Sequence, residues 1–321
     1  TPADRQTAVA QYPHLPKGAP VLWPQQQDTP IYHNRGLWPF VTAFWMQAAK
    51  RAGNAAAVTE AMHTLFRGAA LNLSNMENFE AATGEAWVED GPNSGPVVNS
   101  QRQLWSVAGY LAAVESVVFG LEASQSGIRF APFIPREVRG SYFGDSGTTA
   151  LSRLQYKGRT LHVVLENVDA SGDVLVADSV LVNDSPVSAD AFLTPDELPD
   201  GSVITISLTG ASASTTINQL SAAEVADYQN VFGPRTPSVT SVTQNGNNLV
   251  IGIGAGGESS GDISFDVYRD GNLIAADLPG STTSYTDTSA TPDDESHCYT
   301  VVSHFASQNH SQHAKPNCWW G

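Results

Sequence analysis

Tyr32-His33-Asn34-Arg35-Gly36-Leu37-Trp38-Pro39-Phe40 sets four polar side chains and then an aromatic pair directly ahead of an apolar helix. Asn34 is a helix-capping residue type, Pro39 suits a first helical turn and Gly53 suits a stop. Between them Leu37, Phe40, Val41, Phe44, Trp45 and Ala48 recur at helical spacing, which predicts a buried stripe. A second phrase, Met76-Glu77-Asn78-Phe79-Glu80-Ala81-Ala82-Thr83-Gly84, places a carboxylate among amides and an aromatic ring in a loop.

Working outward, Asn54 starts a helix over Ala55 to Ala70 with Val58, Met62, Leu65 and Phe66 on one face. Ser100 caps a third, in which Leu104, Val107, Ala108, Leu111, Val114, Val118 and Phe119 form the predicted buried stripe. The stretch from Leu71 to Asn99 is rich in Asn, Glu, Gly and Pro, and loops of that length are usually functional. From about Ile128 the texture changes to short strands, Leu161 to Leu165, Val174 to Val176, Val180 to Val182 and Val203 to Leu208, which read as a β-sandwich. A short polar helix and Gly233-Pro234-Arg235-Thr236-Pro237 form a connector. Beyond Ser238, Asn248 to Ile253, Ser264 to Ile274 and Cys298 to Ser303 alternate as strands, with Asp270-Gly271 as a hairpin signal. Their order and the phrase Tyr299-Thr300-Val301-Val302-Ser303 resemble a fibronectin type III domain. The expected fold class is multidomain α + β: helices over 1–127, a β-sandwich over 128–221, a linker over 222–237 and a fibronectin-like unit over 238–321.

The chain has 321 residues, 41% of them apolar, enough for real cores. Its net charge of −16, from 32 acidic and 16 basic residues, repels phosphate backbones and anionic lipid, so neither nucleic acid nor membrane is an expected partner. No apolar run is long enough to span a bilayer. The two cysteines, Cys298 and Cys318, flank a plausible final hairpin; a disulfide is expected in an oxidising compartment, two buried thiols otherwise. Thr1-Pro2-Ala3-Asp4 lacks an initiator Met and reads as a processed end, in keeping with a secreted, extracellular or periplasmic protein. No cofactor is expected and no Cys/His zinc spacing is present. Acidic loops at Asp145 and Asp287 are places for calcium, but neither has a full ligand pattern and solvated turn acids are the plainer reading.

Sugars present C–H faces to aromatic rings and hydroxyls to polar forks, and Tyr32, His33, Asn34, Arg35 and Trp38 supply that mixture. A capping Asn34 with Trp38 and Phe40 in the core explains the same residues structurally. Glu77 beside Asn78 and Phe79 has the setting of a general base that activates water; a solvated loop acid or helix N-terminal charge is the alternative. Asn99 to Ser106 clusters polar residues in a first turn with Trp105 at the same end.

Together these phrases resemble the six-hairpin, (α/α)6-barrel glycoside hydrolases, in particular the inverting trehalases and family 63 α-glucosidases. In that group a Tyr-x-Arg-Gly-x-x-Trp phrase opens a late inner helix, matching Tyr32, Arg35-Gly36 and Trp38 apart from its spacing. A Glu-Asn-Tyr phrase with a following Thr-Gly matches Glu77-Asn78-Phe79 and Thr83-Gly84, with Phe in place of Tyr. A Trp-Ser pair then starts the final inner helix, matching Trp105-Ser106. The resemblance covers about residues 20 to 125. It implies a secreted enzyme on an oligo- or polysaccharide, Glu77 as general base, and Tyr32, His33, Asn34, Arg35, Trp38, Asn78 and Trp105 as sugar-binding residues. It implies no cofactor.

Only three clear helices precede the β-rich region, so the expectation is the C-terminal portion of such a barrel, completed by an N-terminal segment or chain that carries the general acid. Two other readings follow from the same residues. A sugar phosphorylase of this barrel type would hold inorganic phosphate at His33 and Arg35 in place of water. A carbohydrate-binding or adhesion chain would bind glycans without cleaving them.

Overall fold

The Asn54 side chain accepts a hydrogen bond from the Ala57 N–H (2.9 Å), and Gly53 before it turns in the left-handed region at φ 68°, so the expected break between two helices is realised. The computed structural model describes residues 1–27, 33–34, 36–86, 99–143, 147–167, 171–292 and 295–321. They form a mixed α + β protein rich in strands. The described residues within 1–21, 36–86 and 99–220 make one compact unit, and those within 22–34 and 221–321 another. Tyr32, Arg35 and Asp145 lie outside the described residues.

In the first unit the main helices are α1 (Pro2–Gln11), α2 (Pro39–Ala52), α3 (Ala55–Asn72) and α4 (Leu104–Ala112), the last running on through a π-helical turn at Ala113–Val118. Two expected caps are corrected. Helix α2 begins after Trp38, not Asn34, because the Asn34 amide is bonded to the backbone of Gln26. Helix α4 begins after Gln103, not Ser100: the first helical hydrogen bonds, from the Ser106 and Val107 N–H groups, go to the Gln103 carbonyl.

The expected stripes also shift. On α3, Val58, Met62 and Leu65 are buried. On α2 the buried face is Thr42, Ala43, Met46 and Ala49, while Phe44 is 69% exposed and Ala48 is exposed. On α4, Leu104 is 83% exposed, Leu111 and Ala108 are exposed, and the small residues Ser106 and Gly109 are buried instead. Size is the reason: a Cβ on Gly109 would stand 3.0 Å from Ala43 Cβ and 3.2 Å from the Pro39 carbonyl, so α4 packs on α2 through its smallest residues.

The unit's largest sheet runs, strand beside strand, Ser185–Val187, Val174–Val182, Val203–Ala211, Arg159–Asn167 and Thr148–Tyr156, with Phe133–Pro135 also paired to Val174–Val182. Val203–Ala211 lies parallel to Arg159–Asn167 and the other pairs are antiparallel. The two strands expected at 174–176 and 180–182 are one strand, bulged between Ala177 and Ser179. Leu161, Val163 and Leu165 join Met46, Met62 and Leu65 in a single core, so helices and sheet bury one another.

In the second unit two sheets enclose a separate core. One orders Ser238–Asn245, Asn248–Gly254 and Ser284–Asp287; the other orders Asn272–Pro279, Ile263–Arg269, His297–Phe305 and Asn317–Trp319. Alternate residues Leu249, Ile251, Ile253, Phe265, Val267, Tyr299 and Val301 face inward. Asp270 and Gly271, both at positive φ, make the expected hairpin turn. Cys298 and Cys318 sit opposite one another across two strands and are joined by a disulfide.

Asp287 is neither a solvated turn acid nor an open acidic loop. It is buried, and its carboxylate accepts from Arg269 Nη1 (2.7 Å), the Tyr299 hydroxyl (2.9 Å) and the Ser289 hydroxyl (2.7 Å). Burial opposes its ionisation, but these donors outweigh it and hold the carboxyl below its ordinary range.

Candidate active site

Two strand-like segments carry the expected residues of the first unit towards one place. Gly36–Leu37 pairs antiparallel with Phe79–Glu80, Leu37 opposite Phe79, which leaves Trp38 and Asn78 as the next residues on the facing chains. The loop before Phe79 is then laced to the turn that opens α4. The Gln103 N–H donates to the Asn75 carbonyl (2.9 Å) and the Arg102 N–H to Ser74 Oγ (3.1 Å). The Asn78 N–H donates to Asn99 Oδ1 (3.3 Å), and Asn99 Nδ2 donates back to the Asn78 carbonyl (3.2 Å).

Glu77 sits at the centre of this lacing. It is 7% exposed; its N–H donates to the Ser100 carbonyl (2.9 Å) and its Oε2 accepts from the Ser100 N–H (3.0 Å). A carboxylate gripped by a backbone donor keeps its orientation. Glu80, by contrast, accepts from the N–H groups of Ala82 (3.0 Å) and Thr83 (2.7 Å), the ordinary work of a turn acid.

Beside the start of α4 the rings of Trp38, Phe40 and Trp105 cluster. Phe40 and Trp105 have centroids 5.0 Å apart, Trp38 and Trp105 6.4 Å, and Trp38 meets Phe40 edge to face at 6.2 Å. Trp38 is buried, while Trp105 keeps 42% of its surface exposed and, with Phe40, lines a hollow of about 270 Å³ shared with Ala43, Phe44 and Gln47. Rings of this kind offer apolar faces. Helical spacing predicts Phe40 in a buried stripe; its partnership with Trp105 depends on the approach of α2 and α4, which local sequence does not state.

Of the remaining expected residues, Tyr32 and Arg35 lie outside the described residues, and His33 and Asn34 belong to the second unit. Asn34 is buried in the second unit, donating to the Gln26 carbonyl and accepting from its N–H at 2.7 Å each; His33, next to it, is exposed. A further polar hollow in the first unit, of about 450 Å³, is lined by Lys17, Glu60, His63, Arg67 and Tyr142. Burial pushes the Glu60 carboxyl up there, with His63 drawing it back down. Aromatic rings accompany it too: Phe66 meets Tyr142 edge to face at 4.9 Å, and His63 lies 5.7 Å from Tyr142.

The second unit holds a mixed group that the sequence reading missed. Asp266, Asp277 and His304 bring their ligating atoms within 4.8 Å of one another. They come from three different strands, so no spacing in the sequence marks them.

No protein-family model and no curated protein matches the chain. Among solved structures it is similar over part of its length to the spore cortex lytic enzyme SleM of Clostridium perfringens (15% identity, 28% of this chain and 29% of that one, TM-score 0.25). It is similar likewise to pectate lyase PelI of Erwinia chrysanthemi, solved with tetragalacturonic acid (17% identity, 26% and 28%, TM-score 0.22). A third is the family 28 exopolygalacturonase of Yersinia enterocolitica (13% identity, 27% and 20%, TM-score 0.22). The chain spans less than a third of each of these proteins. At that level of likeness only the chain's own residues carry a functional reading.

Proposed function

We propose that this chain supplies the general base and part of the sugar subsite of a secreted glycoside hydrolase, which cleaves an oligo- or polysaccharide with inversion at the anomeric carbon. The observation that supports it is the buried Glu77 carboxylate, held by the Ser100 amide on a loop laced to the helix that presents Trp105. Glu77 takes a proton from water; the water oxygen bonds to the anomeric carbon as the glycosidic C–O bond breaks. The leaving oxygen receives its proton from a carboxylic acid about 6.5–9.5 Å across the site, the separation that leaves room for water in inverting enzymes. That acid is contributed by a segment or chain completing an (α/α)6 barrel, of which the helices within 1–127 form the C-terminal part.

Phe40 and Trp105 form the apolar platform, backed by the buried Trp38, and Asn78 a polar contact for the sugar. On the resemblance alone, Tyr32, His33, Asn34 and Arg35 belong to the same subsite. The expected β-sandwich of 128–221 is instead one main sheet that shares its core with the helices and supports them, and the fibronectin-like unit of 238–321 is a spacer or accessory binder.

The test is sugar release from a panel of glycans by the complete assembly, with and without inorganic phosphate, for the wild type and Glu77→Gln. The expected result is phosphate-independent hydrolysis that falls roughly 10²–10⁴-fold in Glu77→Gln while glycan binding persists. Release that requires phosphate would make the enzyme a phosphorylase, and binding without release would make the chain a binding module.

A further inference from the structure

The outer face of the larger sheet in the second unit carries a polar row where a β-sandwich ordinarily shows scattered, solvated side chains. Asp266 on Ile263–Arg269 and His304 on His297–Phe305 are both buried, and Asp277, on the hairpin strand Asn272–Pro279, stands beside them at φ 54°. His304 Nε2 lies 3.3 Å from Asp277 Oδ1 and 3.7 Å from Asp266 Oδ1. Both contacts are longer than the about 2.7–2.9 Å at which charge-assisted N–H···O bonds settle. Both are close to the edge of a tetrahedron drawn around a metal with bonds of about 2.0–2.1 Å, an edge of about 3.3 Å.

The surroundings fit the same geometry. Two carboxylates set side by side repel each other, and among the described residues no lysine or arginine is paired with either. Asp266 Oδ1 accepts the Asp277 N–H (3.0 Å), which fixes its carboxylate. His304 Nδ1 faces the Phe305 carbonyl (3.4 Å), an arrangement that favours a proton on Nδ1 and leaves the Nε2 lone pair towards the carboxylates. On the adjoining segment, bridged to His304 through the backbone, His310 puts a second imidazole 5.2 Å from the first, centroid to centroid.

From this we infer that Asp266, Asp277 and His304 bind a divalent transition metal of the zinc class, with His310 or water completing the coordination. A mixed nitrogen and oxygen set of this size suits zinc better than calcium or magnesium, which favour all-oxygen shells. Bound metal would staple three strands of one sheet.

The experiment is calorimetric titration of the chelator-stripped full chain with zinc chloride, and separately with calcium and magnesium chloride. Cobalt chloride then reports coordination through its visible absorption. Zinc is expected to bind at one equivalent and to raise the melting temperature, while calcium and magnesium do neither. Asp277→Asn and His304→Gln are each expected to weaken zinc binding at least about 100-fold and to abolish the cobalt band. Asp277 has a largely exposed side chain, so its variant keeps the fold and remains a fair test should His304→Gln unfold. Zinc binding that is absent from the wild type, or unchanged in Asp277→Asn, would overturn the site. So would a stripped protein whose melting temperature does not respond to zinc.

Discussion

Glu77 and Ser100 hold each other twice: the Glu77 N–H donates to the Ser100 carbonyl at 2.9 Å, and the Ser100 N–H donates to Glu77 Oε2 at 3.0 Å. The pair makes backbone and side chain of one residue part of the same clamp, so the carboxylate cannot swing away without breaking the lacing between the loop and the start of α4. A base held this way needs little reorganisation when a proton arrives.

Trp105→Ala tests the aromatic platform. Its ring stacks on Phe40 but is 42% exposed, so removing it costs stability little. Losing one sugar-facing ring is worth about 1 kcal/mol. KM is therefore expected to rise roughly five-fold with kcat less affected, measured by steady-state kinetics of the complete assembly on a cleaved glycan. An unchanged KM would remove Trp105 from the subsite.

His14 gives the first unit a pH dependence. The ring is fully buried; Trp45 Nε1 donates to its Nε2 (3.3 Å), and its Nδ1 lies 3.2 Å from the Tyr12 carbonyl. Burial disfavours the charged ring and, against the pull of the Tyr12 carbonyl, lowers its pKa to about 4. The unfolded chain takes up a proton near pH 6.5 and the folded chain does not until about pH 4, so stability is full above about 6.5 and falls as pH drops between the two. The loss is about 3 kcal/mol at most. Urea unfolding across that range should show the slope in the wild type and its absence in His14→Gln.

Gly120 and Gly246 share one backbone conformation and differ in what surrounds it. At Gly120 (φ 69°) a methyl group would run into the backbone of Ala131 and Pro132; at Gly246 (φ 62°) nothing lies within 4 Å. Gly246→Ala should cost about 1 kcal/mol, the left-handed penalty alone. Gly120→Ala should cost at least about 3 kcal/mol, because overpacking adds to that penalty. Denaturant melts of the two variants separate conformational from steric cost.

Reducing the Cys298–Cys318 disulfide should destabilise the second unit by about 3 kcal/mol, the loop entropy of a link across a sequence separation of 20 residues. A double Cys→Ser variant should melt with the reduced protein and be insensitive to reductant.

What the sequence disclosed and what it withheld divide along one line. Features fixed by neighbouring residues were legible: Gly53 and Asn54 between two helices, the Asp270-Gly271 turn, the strand alternation and the cysteine pair. Features set by what packs from afar were not. Periodicity marked Phe44, Leu104 and Leu111 as apolar, yet could not say that Ser106 and Gly109 would take the buried side because α2 comes too close for anything larger. Asn34 had the chemistry of a cap and found a backbone partner in Gln26. Glu77 stood out through its phrase, but its burial and its hold on Ser100 depend on a segment more than twenty residues away. The Asp266, Asp277 and His304 group had no signature, because three strands must pair before it exists.

The most direct test of the central claim uses glycosyl fluorides, whose fluoride leaves without help from an acid and so isolates the base. A panel of α- and β-fluorides is offered to the complete assembly carrying the wild-type chain or Glu77→Gln, and the anomer first released is followed by NMR. Turnover of one anomer to sugar of opposite configuration, lost roughly 10²–10⁴-fold in Glu77→Gln, is the result predicted. Turnover with retained configuration, or at an undiminished rate in Glu77→Gln, would contradict Glu77 as the base of an inverting enzyme.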